Sequence, residues 1–256
     1  MNVYLATVGK NLSDLRRAAK FDTINFSDTA ILDSFFYVQN KMTNVEYLLP
    51  RCRSFMLDSG AFTFLKGSKD AIDWNAYLNK YADFINHFGV KLFFELDIDG
   101  IVGIEKVEQM RDRLESLTGR KPIPVWHKNR GKQYFIDMCR AYPYVALGGI
   151  AIKEIPLRKF EKFFPWFVYQ AHRCGTKIHG LGYTSVQGLK KYHFDSVDSS
   201  SWMTSTKVGQ AVVFIPSRGE INIATPPANK KMRTYECEAH NLCEWMKFSS
   251  YAKLTL

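Results

Sequence analysis

Residues 194–199, Phe-Asp-Ser-Val-Asp-Ser, read as a short buried strand that ends on a carboxylate, Asp198, with Ser200-Ser201-Trp202 directly after it. Its place in the chain decides the fold, because it is the last of eight apolar runs. The others cover residues 3–8, 30–38, 55–60, 92–99, 124–127, 145–150 and 177–183. Between most of them lie segments with apolar residues at helical spacing. Leu12, Leu15, Ala18 and Ala19 mark the first, and Trp74, Tyr77, Leu78, Tyr81 and Ile85 another, behind an N-cap at Asp73. Val107, Met110, Leu114 and Leu117 mark a third. Phe160, Phe163, Phe164, Phe167 and Val168 are interrupted by Pro165, which suits the first turn of a fresh helix. The run 30–38 leaves strand and helix both open. Eight strands alternating with helices in 256 residues predict an α/β fold, a (β/α)8 TIM-type barrel. A doubly wound open sheet is the competitor, but no Gly-rich dinucleotide loop follows the first run.

After the eighth run, residues 211–215 and 220–224 flank Pro216-Ser217-Arg218-Gly219, which predicts a β-hairpin, and a helix around 239–251 closes the chain. With no linker, repeat or low-complexity stretch, one domain over 1–256 is expected. The barrel covers about 1–205, and the hairpin and helix, about 206–256, are appended to it.

Hydrophobic residues make up 46% and charged residues 23%, an ordinary globular balance that excludes disorder. No apolar run approaches a membrane span, and the Met-Asn-Val-Tyr-Leu-Ala-Thr start lacks the pattern of a signal peptide. Five scattered cysteines do not form a disulfide framework. A cytoplasmic protein with no membrane partner is the expectation. The formal charge of +10 says more. Arg51 and Arg53, Lys128, Arg130 and Lys132, Arg158 and Lys159, Lys190 and Lys191, and Lys230, Lys231 and Arg233 cluster between apolar segments. Such clusters are usually solvated faces, but an excess this large favours a polyanionic partner. Nucleic acid fits better than membrane, since no strongly cationic amphipathic helix is present.

In a barrel of this kind the chemistry sits at the C-terminal ends of the strands. The polar or Gly-rich strand ends are Asp58, Asp97 or Asp99, His127, Gly148-Gly149, Gly180 to Gly182, and Asp198. Three carboxylates around one mouth suit double displacement at a sugar carbon, one as nucleophile, one moving protons and one orienting the substrate. Each also has a plainer reading. Asp58 before Ser-Gly suits a turn cap, Asp97 and Asp99 suit a metal or a helix cap, and His127 suits a hydrogen-bonded strand end. Asp198 is the hardest to dismiss, because Asp195 lies three positions before it in the same strand.

These residues carry a family resemblance. Asp58-Ser59-Gly60-Ala61-Phe62-Thr63 resembles the Asp-Ser-Gly-Gly-Phe-Gln motif of queuine tRNA-ribosyltransferases, the tRNA-guanine transglycosylases. Leu147-Gly148-Gly149-Ile150-Ala151 resembles their Gly-Gly-Leu-Ala segment, and His179-Gly180-Leu181-Gly182 their later Gly-rich strand. Phe194 to Ser199 is similar to Val-Asp-Met-Phe-Asp-Cys, and Gly219-Glu220-Ile221-Asn222-Ile223 to the Gly-Lys-Leu-Asn-Ile of their hairpin. The match runs over most of the chain with its motifs in order.

The resemblance implies a pentosyltransferase in which Asp198 attacks C1′ and Asp58 is the general acid/base. Asp97 would read the base, with Asp99 as the shifted alternative, and His127 falls near a substrate-contacting Gln. Gly149 and Ile150 would offer main-chain contacts, with Ser59 and Gly182 also beside the substrate. The departures are equally specific. Ser200-Ser201-Trp202 replaces Pro-Thr-Arg, which makes those three residues candidates for reading a different polymer. The Cys-x-Cys-x-x-Cys zinc loop is absent. Cys237, His240 and Cys243 remain as weak candidates for a structural zinc, one ligand short of the four such a site needs, and no cofactor is otherwise expected. The chain therefore resembles the compact phage-type branch, the 7-deazaguanine DNA transglycosylases. That branch implies exchange of guanine in phage or host DNA for a free 7-deazaguanine such as preQ0, in the host cytoplasm if phage-encoded. It leaves open an accessory protein. The alternatives are tRNA as acceptor, a non-catalytic barrel that binds nucleic acid, and a barrel enzyme acting on a small sugar phosphate.

Overall fold

The computed structural model describes residues 1–64, 72–150, 153–224 and 232–256; Ala151, Lys230 and Lys231 fall outside them. Eight parallel strands follow one another around a ring: β1 (Asn2–Ala6), β2 (Ala30–Ser34), β3 (Ser54–Asp58), β4 (Leu92–Phe93), β5 (Val125–Trp126), β6 (Tyr144–Leu147), β7 (Lys177–Gly180) and β8 (Ser196–Ser199). The hydrogen-bonded order is β4-β3-β2-β1-β8-β7-β6-β5. The two ends meet through the parallel bridge Phe94↔Ile123, where Glu95 N–H donates to the Ile123 carbonyl at 3.0 Å. That closes a (β/α)8 barrel, as the sequence predicts.

Strand alternation divides the apolar residues into two layers. Tyr4, Leu32, Met56, Phe94, Val125 and Ala146 fill the barrel interior. Val3, Leu5, Ile31, Leu57, Val145 and Val197 point outward to the helices. The run 30–38 proves to be both elements, β2 followed by a helical turn at Phe35–Val38. The run 92–99 is mostly not strand. It leaves the sheet after Phe94 and begins a helix at Asp99–Val102. Asp73 caps the helix Trp74–Phe88 through the Asn75 and Ala76 N–H groups, and Pro165 stands in the first turn of Phe164–Arg173.

Past β8, the hairpin β9 (Ala211–Ile215) and β10 (Glu220–Ala224) forms as predicted. The last helix, Thr234–Thr255, is longer than expected. Asn241 and Glu244 accept from the β9 N–H groups of Val212 and Phe214 at 2.8 Å, and Ser249 donates to the Val3 carbonyl in β1 at 2.8 Å. These buried bonds join hairpin, helix and barrel. No helix among the described residues is long and apolar enough to cross a membrane.

Candidate active site

The three acids of the sequence reading meet at the C-terminal mouth. Asp58 ends β3, and its Oδ2 accepts from Gly60 N–H at 3.0 Å. Gly60 holds φ at 78°, and a Cβ there would lie 2.4 Å from the Phe36 Cβ, so only glycine allows the chain to turn back under the carboxylate. Tyr77 donates to the Ser59 carbonyl at 2.6 Å, and the Tyr81 hydroxyl lies 3.0 Å from both the Leu57 and Phe94 carbonyls. The helix Trp74–Phe88 thereby fixes the ends of β3 and β4. Burial first, then the charges of Asp97 and Asp198, push the Asp58 carboxyl from an ordinary 3.8 to about 7, against the lowering effect of the Gly60 hydrogen bond. Asp58 therefore holds a transferable proton near neutral pH.

Asp198 has a different set of partners. It is nearly buried in β8, and its Oδ1 accepts from Gly182 N–H at 2.6 Å. His179 Nε2 lies 3.3 Å from the same oxygen. His179 is fully buried inside the barrel against Tyr4 and Phe94, and its Nδ1 bonds the Ser196 hydroxyl, which also bonds Tyr144. One proton order satisfies the chain if Asp198 is ionised. A carboxylate only accepts, so Nε2–H donates to Asp198, Ser196 donates to Nδ1, and Tyr144 donates to Ser196. Burial pushes the Tyr144 hydroxyl well up, which keeps it a donor. Asp195 lies elsewhere. It accepts from Ile178 N–H at 2.8 Å and from His172 at 3.0 Å at the opposite end of β8, a structural role.

Asp97 faces His127, whose Nε2 lies 3.5 Å from Oδ2, an ion-pair distance without a well-formed hydrogen bond. The other ring nitrogen, Nδ1, bonds Glu154 Oε1 at 2.7 Å. Burial opposes charge on this imidazole most strongly, yet the close Asp97 and Glu154 carboxylates, the latter hydrogen-bonded, raise it to about 10, so it is a cation at neutral pH. Gly148 packs edge-on to the ring, where a Cβ would sit 2.8 Å from Cε1. Asp99, the alternative to Asp97, is occupied. Burial works against its charge, but Arg130 at 3.2 Å holds the carboxyl below its usual range. Arg130 also pairs at 2.8 Å with fully buried Glu95, which binds Arg111 at 3.0 Å.

The remaining sequence-predicted residues divide. Among the described residues the Gly149 and Ile150 N–H groups donate to nothing, which leaves two adjacent donors at the mouth. Gly182 N–H is used on Asp198, so that N–H is not a free substrate donor. Ser59 is buried, and its carbonyl is taken by Tyr77. Trp202 is fully buried, with its indole N–H donating to the Ala6 carbonyl at 2.9 Å, so it cannot stack on a nucleic acid. The zinc candidates do not converge. Cys237 and Cys243 are six residues apart on one helix, hence on different faces. His240 Nε2 meets the Val212 carbonyl at 2.9 Å and Cys237 that of Gln210 at 3.6 Å. No group of three or more metal-ligating side chains occurs among the described residues, so this set does not fit a structural zinc.

No family model matches the chain, and no curated protein matches its sequence. Solved structures resemble its fold. The carboxyl transferase domain of Rhizobium etli pyruvate carboxylase, solved with pyruvate, aligns at TM-score 0.49 and 10% identity. That alignment covers 98% of this chain but only 47% of the other, so the chain spans about half that protein's length. An Anabaena variabilis protein described as a sugar phosphate isomerase/epimerase aligns at TM-score 0.43 and 10% identity, over 96% of this chain and 98% of its own. Neither bears on the chemistry here.

His179, Ser196 and Glu154 are site residues that the sequence reading missed. The signal for two of them was the period of two. Ser196 shares a face with Asp198, and His179 is its register partner on β7. Glu154 reaches His127 from an irregular loop, which no periodicity announces.

Proposed function

We propose that the chain is a DNA base-exchange transglycosylase that replaces guanine with a free 7-deazaguanine such as preQ0. The observation that carries this reading is the convergence of three acids at one mouth, with Asp58 raised to about 7 by burial and by Asp97 and Asp198, and with Asp198 Oδ1 held by Gly182 N–H and facing His179 Nε2. A proton donor beside a carboxylate held in place is what double displacement at a sugar carbon requires.

The steps balance in atoms and protons. An Asp198 oxygen attacks C1′ of a 2′-deoxyguanosine taken out of the stack, and the C1′–N9 electron pair leaves with the base. Asp58 gives its proton to the departing purine. The incoming 7-deazaguanine returns a proton to Asp58 as its N9 attacks C1′, and Asp198 is released. Two inversions retain configuration. Taking the base out of the stack costs on the order of a few kcal/mol, which the basic surface offsets through phosphate contacts. The Asp97 carboxylate, paired with cationic His127, suits the adjacent N–H donors of a guanine edge. The Gly149 and Ile150 N–H groups suit its carbonyl.

Incubation of the protein with labelled preQ0 and either duplex DNA or tRNA tests this. Label is expected in DNA, and none with Asp198→Asn. Absence of label in DNA with the unaltered protein, or undiminished label with Asp198→Asn, would sink the proposal. Label in tRNA alone would move the acceptor to RNA.

A further inference from the structure

We infer that the exposed basic strip from Lys128 through Lys132 and Arg158 to Phe163 is the track for the phosphodiester strand that carries the reacting base. This rests on the base-exchange reading and adds where the rest of the polymer lies.

Connectivity places the strip at the mouth. Lys128 directly follows His127, Lys132 lies in the first turn of Gly131–Ala141, and Arg158 and Lys159 lie on Leu157–Phe160 after β6. Every one of these segments leaves the C-terminal end of β5 or β6. Glu154 ties them to the site, bonding His127 Nδ1 at 2.7 Å and Lys128 N–H at 3.1 Å.

The strip is electrostatically open. Lys128, Lys132, Lys153, Arg158, Lys159 and Lys162 are exposed, and none is ion-paired among the described residues. Of its two acids, Glu154 is paired with His127, and Glu161 is turned to accept from the Tyr183 hydroxyl at 2.7 Å. The strip also offers an aromatic surface. Phe163 is 44% exposed, with Lys132 Nζ 5.7 Å from its ring centroid and 5.3 Å from that of Trp166. Unneutralised cations beside an open ring are what a strand with unpaired bases needs, charge for the backbone and a face for stacking.

Several other cations are placed differently. Arg111 and Arg130 are spent on Glu95, and Arg53 on Asn2 and Asp28. Arg16 and Arg51 both lie over the Tyr47 ring, at 4.6 and 4.2 Å from its centroid, where the helix Val8–Leu15 ends and before β3 begins. That is the far end of the barrel, and it supplies a matched control.

The test uses the full chain carrying Asp198→Asn, so that binding is read without chemistry, and fluorescein-labelled single-stranded DNA, duplex DNA and RNA of one sequence. Anisotropy is titrated across KCl concentrations. In Lys132→Gln/Arg158→Gln/Lys162→Gln the slope of log K against log salt should fall by about 2, at about 0.7 per single-strand phosphate contact. Arg16→Gln/Lys20→Gln/Arg51→Gln, with equal charge removed, should keep the parent slope. Phe163→Ala should weaken single strands roughly ten-fold and leave duplex unchanged. An unchanged slope in the strip variant, an equal loss in the control, or strip dependence confined to RNA overturns the inference. The exchange assay keeps the two claims apart. Strip-dependent binding by a protein that exchanges no base leaves the track and sinks the exchange, whereas exchange indifferent to the strip variant does the reverse.

Discussion

Replacing the acid that carries the proton should stabilise this protein, and only at higher pH. In the fold the Asp58 carboxyl is raised from 3.8 to about 7, so the folded state binds its proton more tightly than the unfolded chain. Stability from this group is therefore lost as pH climbs from the unfolded value towards 7, and the loss is complete above it. At 1.36 kcal/mol per unit, the full shift is about 4 kcal/mol as an upper figure, and about 2–4 kcal/mol once the partial opening of the mouth is allowed for. Much of it is absent at pH 5 and present at pH 8. Asp58→Asn removes the ionisation but keeps the shape. Relative to the unaltered protein, its unfolding free energy should rise by about 2 kcal/mol between pH 5 and pH 8. Urea unfolding at several pH values measures this, and comparing differences cancels whatever Asn does to packing. It also cancels Asp33, which burial raises to about 7 and which remains in both proteins. Base exchange should be abolished by the same substitution. A stability difference that does not change with pH, or that shrinks as pH rises, would refute the placement of the proton on Asp58.

His127 has the same direction of pH dependence over a higher window, although here it is the charged form that the fold favours. Its raised value of about 10 gives stability that is full below the ordinary 6.5 and lost as pH passes through 10, so His127→Gln should flatten that decline by about 2–4 kcal/mol in urea melts at pH 7 and pH 10. Glu95→Gln weakens the hold on two buried arginines and should cost about 3–5 kcal/mol, read as a fall of roughly 10 °C in Tm. Trp202→Phe should lower stability by about 1–3 kcal/mol through the lost Ala6 hydrogen bond and volume, yet leave DNA affinity unchanged by anisotropy.

The barrel was legible because its signal is repeated. Eight apolar runs with helical spacing between them survive an error in any one, and two did mislead. Residues 30–38 join a strand to a helical turn. Residues 92–99 leave the sheet just past the Phe94–Ile123 bridge, where Glu95 still gives its N–H to the Ile123 carbonyl while its side chain holds Arg111 and Arg130. Asp58, Asp97 and Asp198 were legible for a simple reason. An acid at the end of an apolar strand has few inexpensive places to go other than the mouth. The supporting groups were harder to see. His179 stood inside a quoted motif, but its partner Ser196 is seventeen residues away and meets it only through strand register. Trp202 misled because aromatic character does not reveal burial, and an indole that finds a carbonyl partner can be enclosed completely.

His179 shows what the hidden residues contribute. Asp198 Oδ1 meets both the Gly182 N–H and the imidazole, so in the proposed exchange its other oxygen is the one left to attack. If the imidazole only orients, the site needs a donor towards Asp198 and an acceptor towards Ser196, and no proton moves. Glutamine offers that pair, an NH2 and a carbonyl at one end of its chain, whereas phenylalanine fills the volume with neither. His179→Phe should therefore lower kcat by about 100-fold with little change in KM, the scale of a misplaced reacting group. His179→Gln should restore most of that loss, with the pH profile still governed by Asp58. A glutamine variant as inactive as the phenylalanine one would mean that the imidazole exchanges a proton with Asp198.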